Sequence, residues 1–369
     1  MKSWLDTIRV LFKSVIGTIN GVVLILFLIS AFSDRISPEV SVLFPYLGLC
    51  FPILCVLTIC FIIYWLFVWE WRFALVGVCV LLICKEPLTR YLPYHSREEN
   101  IPKEKVLKIL TYNVMGFGYK NHTKEEPNPT IQYIANSGAD IVCLQEYIVG
   151  NSNDYLTNKK IFNALKMYRY HSLIHIGSSY IAVFSKYPIS KSRKIKYDTT
   201  SNGSSIHVLD IQGKKLTLIN NHLESFKLTT EDKSHYSAFI KNMNSETLDG
   251  LKNSIDQKLG PTFQIRARQA EVIAQEIKKI DTEYILVCGD FNDTPISYAY
   301  RTIRGSLEDA YVSSGKGVGI TYNENFFWFR IDNIFHSANL RPINCTVDKV
   351  RYSDHYPLWC YLEMVEDKK

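Results

Sequence analysis

Hydrophobic and polar positions divide the chain into two unlike parts. From Ser14 to Phe32 the residues are almost all apolar and none is charged, and Val40 to Val68 is a second, longer charge-free run. Both are long enough to cross a hydrocarbon core of about 30 Å. Phe73 to Cys84 is a shorter apolar run, about twelve residues before Lys85, and the span is taken to about residue 88; short or tilted crossings cost little. Trp65 and Trp69 close the second run where interfacial aromatics belong. The pattern therefore predicts about three transmembrane helices, over residues 14–32, 40–68 and 73–88. Glu86 to Lys105, with Pro87, Pro93 and Pro102, reads as a linker leaving the membrane. Residues 1–100 form the anchor and linker on this reading, and 101–369 the globular domain. With Lys2, Arg9 and Lys13 inside, three crossings place that domain outside the cytoplasm, in a multi-pass protein of the cell membrane whose first partner is the lipid bilayer.

Beyond residue 105 the pattern changes to short apolar runs stopped by Gly, Pro or polar residues. Val106–Val114 alternates as a strand does, and Asp140–Tyr147, Tyr180–Ser185, Ser205–Ile211 and Lys215–Leu223 read as further strands. Pro129–Ser137 suits a short helix with Ile131 and Ile134 on one face and Gly138 beyond its end. Leu223–Pro261 is polar and irregular or helical. From Gln264 to Ile280 apolar residues recur at helical spacing, and that helix feeds the strand Tyr284–Cys288, which ends in Gly289, Asp290, Asn292 and Asp293. An aromatic run, Phe326–Phe335, reads as one more core strand, and a last pair of strands surrounds Arg351–Leu358.

Charge and cysteine content change this picture little. The net charge is +6, of which about +5 falls after residue 100. That surface is compatible with a phosphate-bearing substrate and is too weakly basic for a dedicated nucleic-acid arm. Five of the nine cysteines lie in the apolar runs, and Cys143, Cys288, Cys345 and Cys360 lie in or beside strands. No CxxC pair occurs, which argues against a zinc ribbon and leaves small core residues as the reading.

Polar groups of metal-binding or acid–base type close six of the strand-like runs: Asn113, Glu146, His222, Asp290 with Asn292, Asp332 with Asn333, and Asp354 with His355. Each alone has a bland reading, since strand-end carboxylates are usually solvated and Gly, Asp, Asn and Pro are turn formers. Six in one chain, each delivered by a rigid strand, point to a shared site.

The set Thr111-Tyr-Asn-Val114, Leu144-Gln-Glu146, Ser185-Lys-Tyr-Pro-Ile189, Asn221-His-Leu223, Gly289-Asp-Phe-Asn-Asp293, Arg330-Ile-Asp332 and Ser353-Asp-His355 resembles the endonuclease/exonuclease/phosphatase superfamily over about residues 105–364. The resemblance implies an α/β fold, a four-layer sandwich of two mixed β-sheets flanked by helices. It implies a divalent cation, Mg²⁺ or Mn²⁺, held by Glu146 with Asn113 beside it and Asp354 in support. Asp290 would align or deprotonate the attacking water and Asn292 orient it. His355 would be the acid–base histidine with Asp332 as its partner, and His222 would donate to a phosphoryl oxygen. Whether Asp290 or His355 makes the nucleophile stays open, and Asn333 stands where many relatives carry an aromatic residue.

These residue types suit the chemistry. A phosphate ester is anionic and repels hydroxide, so a hard cation and a protonated histidine are needed to neutralise charge in the transition state. The expected function is a membrane-anchored, metal-dependent phosphoester hydrolase acting on nucleic acid or a lipid headgroup, with no protein partner. The alternative is a non-catalytic binding protein that keeps the fold.

Overall fold

The computed structural model describes residues 2–101, 106–152, 155–197, 202–227, 244–324 and 327–365, with positions 229, 232, 234, 237, 238, 241 and 242 between. The end of the expected linker, 102–105, lies outside the described residues.

Two six-stranded mixed sheets form the globular part. One is built from β1 (Val106–Asn113), β2 (Ile141–Tyr147), β3 (Tyr170–Ile176), β4 (Ser179–Ser185), β13 (Leu340–Val347) and β14 (Leu358–Met364), in the order β13-β14-β1-β2-β4-β3. The other holds β5 (Ile189–Ile195), β6 (Gly203–Ile211), β7 (Lys214–His222), β8 (Tyr284–Asp290), β9 (Glu308–Asp309) and β12 (Asp332–His336), in the order β5-β6-β7-β8-β12-β9. Each sheet has one parallel pair, β1 with β2 and β7 with β8.

Period-two alternation decides what each strand sends into the space between the sheets. Leu107 and Ile109 of β1, Ile141 and Cys143 of β2, Leu216 and Leu218 of β7, and Leu286 and Cys288 of β8 share one buried cluster there. The opposite faces carry the helices. Leu110, Val142 and Leu144 pack with Ile131 and Ile134 of α6 (Pro129–Asn136) and Ile161 of α7 (Asn158–Ala164). Ile219 and Val287 pack with Ala270 and Ile273 of the long helix α8 (Ser245–Lys278) and Ile303 of α9 (Tyr298–Arg304). The expected layering of helix, sheet, sheet and helix is thus present.

Close approach of β7 and β8 requires Gly289, whose φ is +124°; a Cβ there would lie 2.1 Å from the Asn221 carbonyl oxygen. Gly289→Ala is expected to destabilise the domain by at least about 3 kcal/mol, because backbone strain and a backbone clash add. Thermal unfolding of the purified variant measures this, and an unchanged melting temperature would refute the close-approach reading.

Three sequence expectations need correction here. The helix expected from Gln264 begins at Ser245 and runs through Pro261, where Leu259 and Phe263 are buried and Tyr46 packs edge-on to Phe263 at 5.5 Å. Tertiary packing outweighs the hydrogen bond that proline removes. The aromatic run is not one strand. It divides into β11 (Phe327–Phe329), paired with β10 (Tyr322–Glu324) in a separate two-stranded ribbon, and β12 in the main sheet, with Arg330 buried between them. Finally, residues 85–91 are not a free linker. They form α5 (Lys85–Tyr91), whose Arg90 is buried against Asp34 and the globular part.

The apolar runs fold into α1 (Lys2–Ala31), α2 (Leu43–Leu49), α3 (Phe51–Phe67) and α4 (Trp71–Ile83). One segment, Asp6–Ala31, is by itself long and apolar enough to cross a membrane. The expected second span is broken: α2 and α3 meet at 59° at Cys50, two residues before Pro52, which supplies no N–H to continue a helix across that point. The third, α4, has 13 residues, a length of about 20 Å at 1.5 Å per residue. Three full-length crossings are therefore not supported by the helix lengths.

Candidate active site

Along each inward-facing row the apolar residues give way to polar ones at the same edge of the sandwich. In β1 the row Leu107, Ile109 continues to Thr111 and Asn113; in β7, Leu216 and Leu218 continue to Asn220 and His222; in β8, Leu286 and Cys288 end in Asp290. Beneath the edge, Gln145 Nε2 donates to Asn220 Oδ1 at 2.7 Å and to Thr111 Oγ1 at 3.1 Å, tying the two sheets together. This buried amide bridge links the two sheets just below the site.

Glu146 does not follow the alternation, which would send it to the helix side with Leu144. The β2–β4 register shifts between Leu144 and Tyr147, and Glu146 has φ +52°, so a bulge turns its carboxylate to the inter-sheet edge. There Asn113 Nδ2 donates to Glu146 Oε1 at 3.1 Å and to Asp290 Oδ2 at 3.0 Å, while its Oδ1 accepts from the Met115 N–H. His222 Nε2 stands 3.5 Å from Glu146 Oε1 and 3.7 Å from Asp290 Oδ2.

Asp290 is the hub of the cluster. Its Oδ1 accepts from the Asn292 N–H at 2.8 Å, and Asn292, at φ +51°, also donates its side-chain amide to Leu223 O at 2.9 Å. On the far side β12 runs antiparallel to β8 with Asp332 directly opposite Asp290. His355 links the two acids: Nδ1 lies 2.8 Å from Asp332 Oδ2 and Nε2 lies 3.6 Å from Asp290 Oδ2. Asp354 is half-buried next to it, and Ser353 Oγ lies 3.1 Å from its Oδ1 and 2.8 Å from the Asn113 carbonyl oxygen. The eight residues to which the sequence gives a catalytic or metal role thus lie along one edge.

Burial sets the proton inventory. It would by itself lower the pKa of His355, but the Asp332 and Asp290 carboxylates outweigh it and hold the ring well above its ordinary value. His222 is held below its ordinary value by burial, which Asp290 only partly offsets. Asp290 is pushed up, first by burial, with His355 opposing and Asp332 adding to the shift. The site therefore pairs a charged histidine with a neutral one.

Three carboxylates converge here, and the ion-pair partners of Asp290 and Asp332 among the described residues are histidines. One donor atom each from Asp290, Asp332 and His355 lies within 4.8 Å of the others, a grouping able to hold a metal ion. Oxygen-rich donors of this kind fit a hard divalent cation. The sequence alone assigns these three to acid–base work and does not show them as one group, because the opposition of Asp332 and Asp290 is a matter of register across 42 residues of chain. It also misses Asn202, whose Nδ2 lies 3.2 Å from His222 Nε2 and donates to Leu223 O at 2.9 Å; nothing in the sequence marks it.

The family model described as "Endonuclease/Exonuclease/phosphatase family" matches residues 110–355, two thirds of the chain. The chain belongs to that family. Family members are typically metal-dependent phosphoesterases, and the matched region contains every residue of the edge just described. A second model, a domain of unknown function, matches residues 13–91, the apolar helices and α5. Comparison with curated proteins finds no match. Among solved structures, the human nocturnin catalytic domain with bound sulfate is 17% identical over 71% of this chain and 95% of its own, with a TM-score of 0.49. A humanised D. rerio TDP2 is 17% identical over 70% and 99%, at 0.48, and a family protein from Bacteroides vulgatus 19% identical over 70% and 99%, at 0.46.

Proposed function

We propose that this family member is a membrane-held, divalent-metal-dependent hydrolase of phosphate esters. The observation that carries the reading is the convergence of Glu146 and Asp290 on one Asn113 amide, with His222 and His355 flanking Asp290. Glu146, the most exposed of these carboxylates, would hold the cation with Asn113 and Asp354 close by, since Asp332 is already committed to His355. When bound, Mg²⁺ or Mn²⁺ supplies positive charge to the phosphate and to the developing negative charge of the leaving group.

The chain's own residues divide the remaining work. Asp290 accepts the proton of the attacking water, and Asn292 holds that carboxylate through its N–H and side-chain amide. His355 is unsuited to be the base because Asp332 keeps it protonated; it donates to a phosphoryl oxygen instead. His222, neutral and buried, completes the wall that faces the phosphate.

Support for the membrane comes from Asp6–Ala31 and from the apolar side chains that α1, α3 and α4 turn outward, among them Ile19, Val22, Ile53, Ile63, Val76 and Leu82. A surface of that kind suits contact with lipid.

The full-length chain in mild detergent, given bis-p-nitrophenyl phosphate, is expected to release p-nitrophenolate with Mg²⁺ or Mn²⁺ and to stop on chelation. A parallel panel of DNA, RNA, sphingomyelin and phosphoinositides separates nucleic-acid from lipid-headgroup substrates. Absence of metal-dependent turnover on every member of the panel would sink the reading, and release of the chain from membranes by alkaline carbonate would sink its membrane part.

A further inference from the structure

The catalytic edge and the apolar helices meet at a buried charge. Asp34, in the turn after α1, is fully buried, and Arg90 of α5 is nearly so; Arg90 Nη1 donates to Asp34 Oδ2 at 2.8 Å and to the Pro295 carbonyl oxygen at 3.0 Å. Pro295 follows Asn292 by three residues. The next carbonyl, of Ile296, accepts from Ser33 Oγ at 3.3 Å, and the Ile296 side chain packs in a cluster with Phe27, Ala31 and Phe51. Gly48 permits this approach: a Cβ there would lie 2.7 Å from Ser33 Oγ and 3.0 Å from the Ile296 oxygen.

The second catalytic strand is held from the same place. Arg330, two residues before Asp332, is buried, donates its Nη2 to the Arg90 carbonyl oxygen at 2.5 Å and stands over the Tyr311 ring. The 33–35 turn and α5 thus grip both the segment leaving Asp290 and the segment entering Asp332. These two acids share His355, so a shift of either segment changes the geometry at its ring.

A buried ion pair is a poor device for stability, because desolvating two charges offsets most of their attraction. Its usefulness lies in fixing one arrangement, since a guanidinium buried among a carboxylate and a backbone carbonyl has few alternatives.

We propose that Asp34 and Arg90 are positioning residues for the catalytic edge, so that the apolar N-terminal module is a working part of the active site and not only its tether. The effect on turnover rests on the hydrolase reading above; the grip itself does not. Losing it lets the 290–296 and 330–332 segments move by fractions of an ångström, and displacements near 1 Å at reacting groups cost about 100-fold in rate.

The test uses the full-length chain in detergent. Arg90→Ala is expected to lower kcat by about 10- to 100-fold with KM nearly unchanged. Arg90→Lys, whose single ammonium can still serve both Asp34 and the Pro295 oxygen, is expected to recover most of kcat. Glu39→Gln, which breaks the exposed pair with Arg268 at the rim of the same interface, is expected to change nothing. Amide hydrogen exchange supplies a readout independent of turnover: in Arg90→Ala, peptides covering 290–297 and 330–332 exchange faster while β1, β2 and β7 keep their protection. If the wild type has no activity, the hydrolase reading fails and the exchange still tests the grip. Wild-type exchange at both segments in folded Arg90→Ala, or wild-type kcat in an active enzyme, would overturn the proposal. Should Arg90→Ala not fold, Asp34→Asn removes the charge isosterically and is read by the same two measurements.

Discussion

Asp290→Asn is expected to lower kcat by about 10³-fold or more while leaving the fold intact and the melting temperature at neutral pH unchanged or raised. The substitution keeps the shape and one acceptor oxygen for the Asn292 N–H, and removes the basic oxygen that Asn113, His222 and His355 surround. Stability should not suffer, because the carboxylate is held in its charged form at a cost. Burial is the main reason its pKa is raised, and Asp332 adds to this. A group whose folded pKa lies above its unfolded value contributes stability below the unfolded pKa and loses it as pH rises through the folded one, so at neutral pH the ionised Asp290 is a liability to the fold. Steady-state kinetics with thermal unfolding separates the effects. Glu146→Gln serves as the contrast: it is expected to raise the half-saturating metal concentration by more than about tenfold, an effect Asp290→Asn should not share to that degree. A variant at Asp290 with near-wild-type kcat would remove it from the role of base.

Much of the edge is legible in the sequence because side chains alternate strictly along every strand. The rows that begin Leu107, Leu216 and Leu286 can only bring Asn113, His222 and Asp290 to the same side, given strands that end together. Glu146 is marked by its motif; alternation alone sends it the wrong way, and only the bulge, which leaves no residue-type signature, turns it back. The opposition of Asp332 to Asp290 depends on which strands pair, and no local pattern encodes that. The N-terminal part was read less well for a different reason. Apolar composition shows that residues want to leave water and does not show against what, so the break at Cys50, the helix over residues 85–91 and the packing of Ile296 against Phe27 were all out of reach. Arg90, inside the stretch that reads as a linker, is buried with Asp34 and contacts a carbonyl 205 residues away.

Asp332→Asn should separate the acid–base role of His355 from mere placement of the ring. In the wild type Asp332 Oδ2 lies 2.8 Å from His355 Nδ1, and the two carboxylates hold the ring charged well above its ordinary value of 6.5, against burial. Activity that needs protonated His355 is present at low and neutral pH on this limb and is lost as pH rises through the raised value. The same sign holds for stability: the contribution of the His355–Asp332 pair is complete below 6.5 and fades as pH climbs through the folded pKa. An asparagine at 332 can still accept a hydrogen bond from Nδ1 and so keeps the ring oriented, but it removes the nearest negative charge and leaves burial opposed by Asp290 and, more weakly, Asp354. The alkaline limb of kcat/KM is then expected to move down by about one pH unit or more, with kcat at neutral pH reduced by about 10²- to 10⁴-fold. Lowering the pH should recover part of that loss in Asp332→Asn and none of it in His355→Ala, because only the former retains a ring to protonate. A full pH–rate profile of the two variants decides the matter: an unmoved alkaline limb in Asp332→Asn would show that the carboxylate orients His355 without setting its charge.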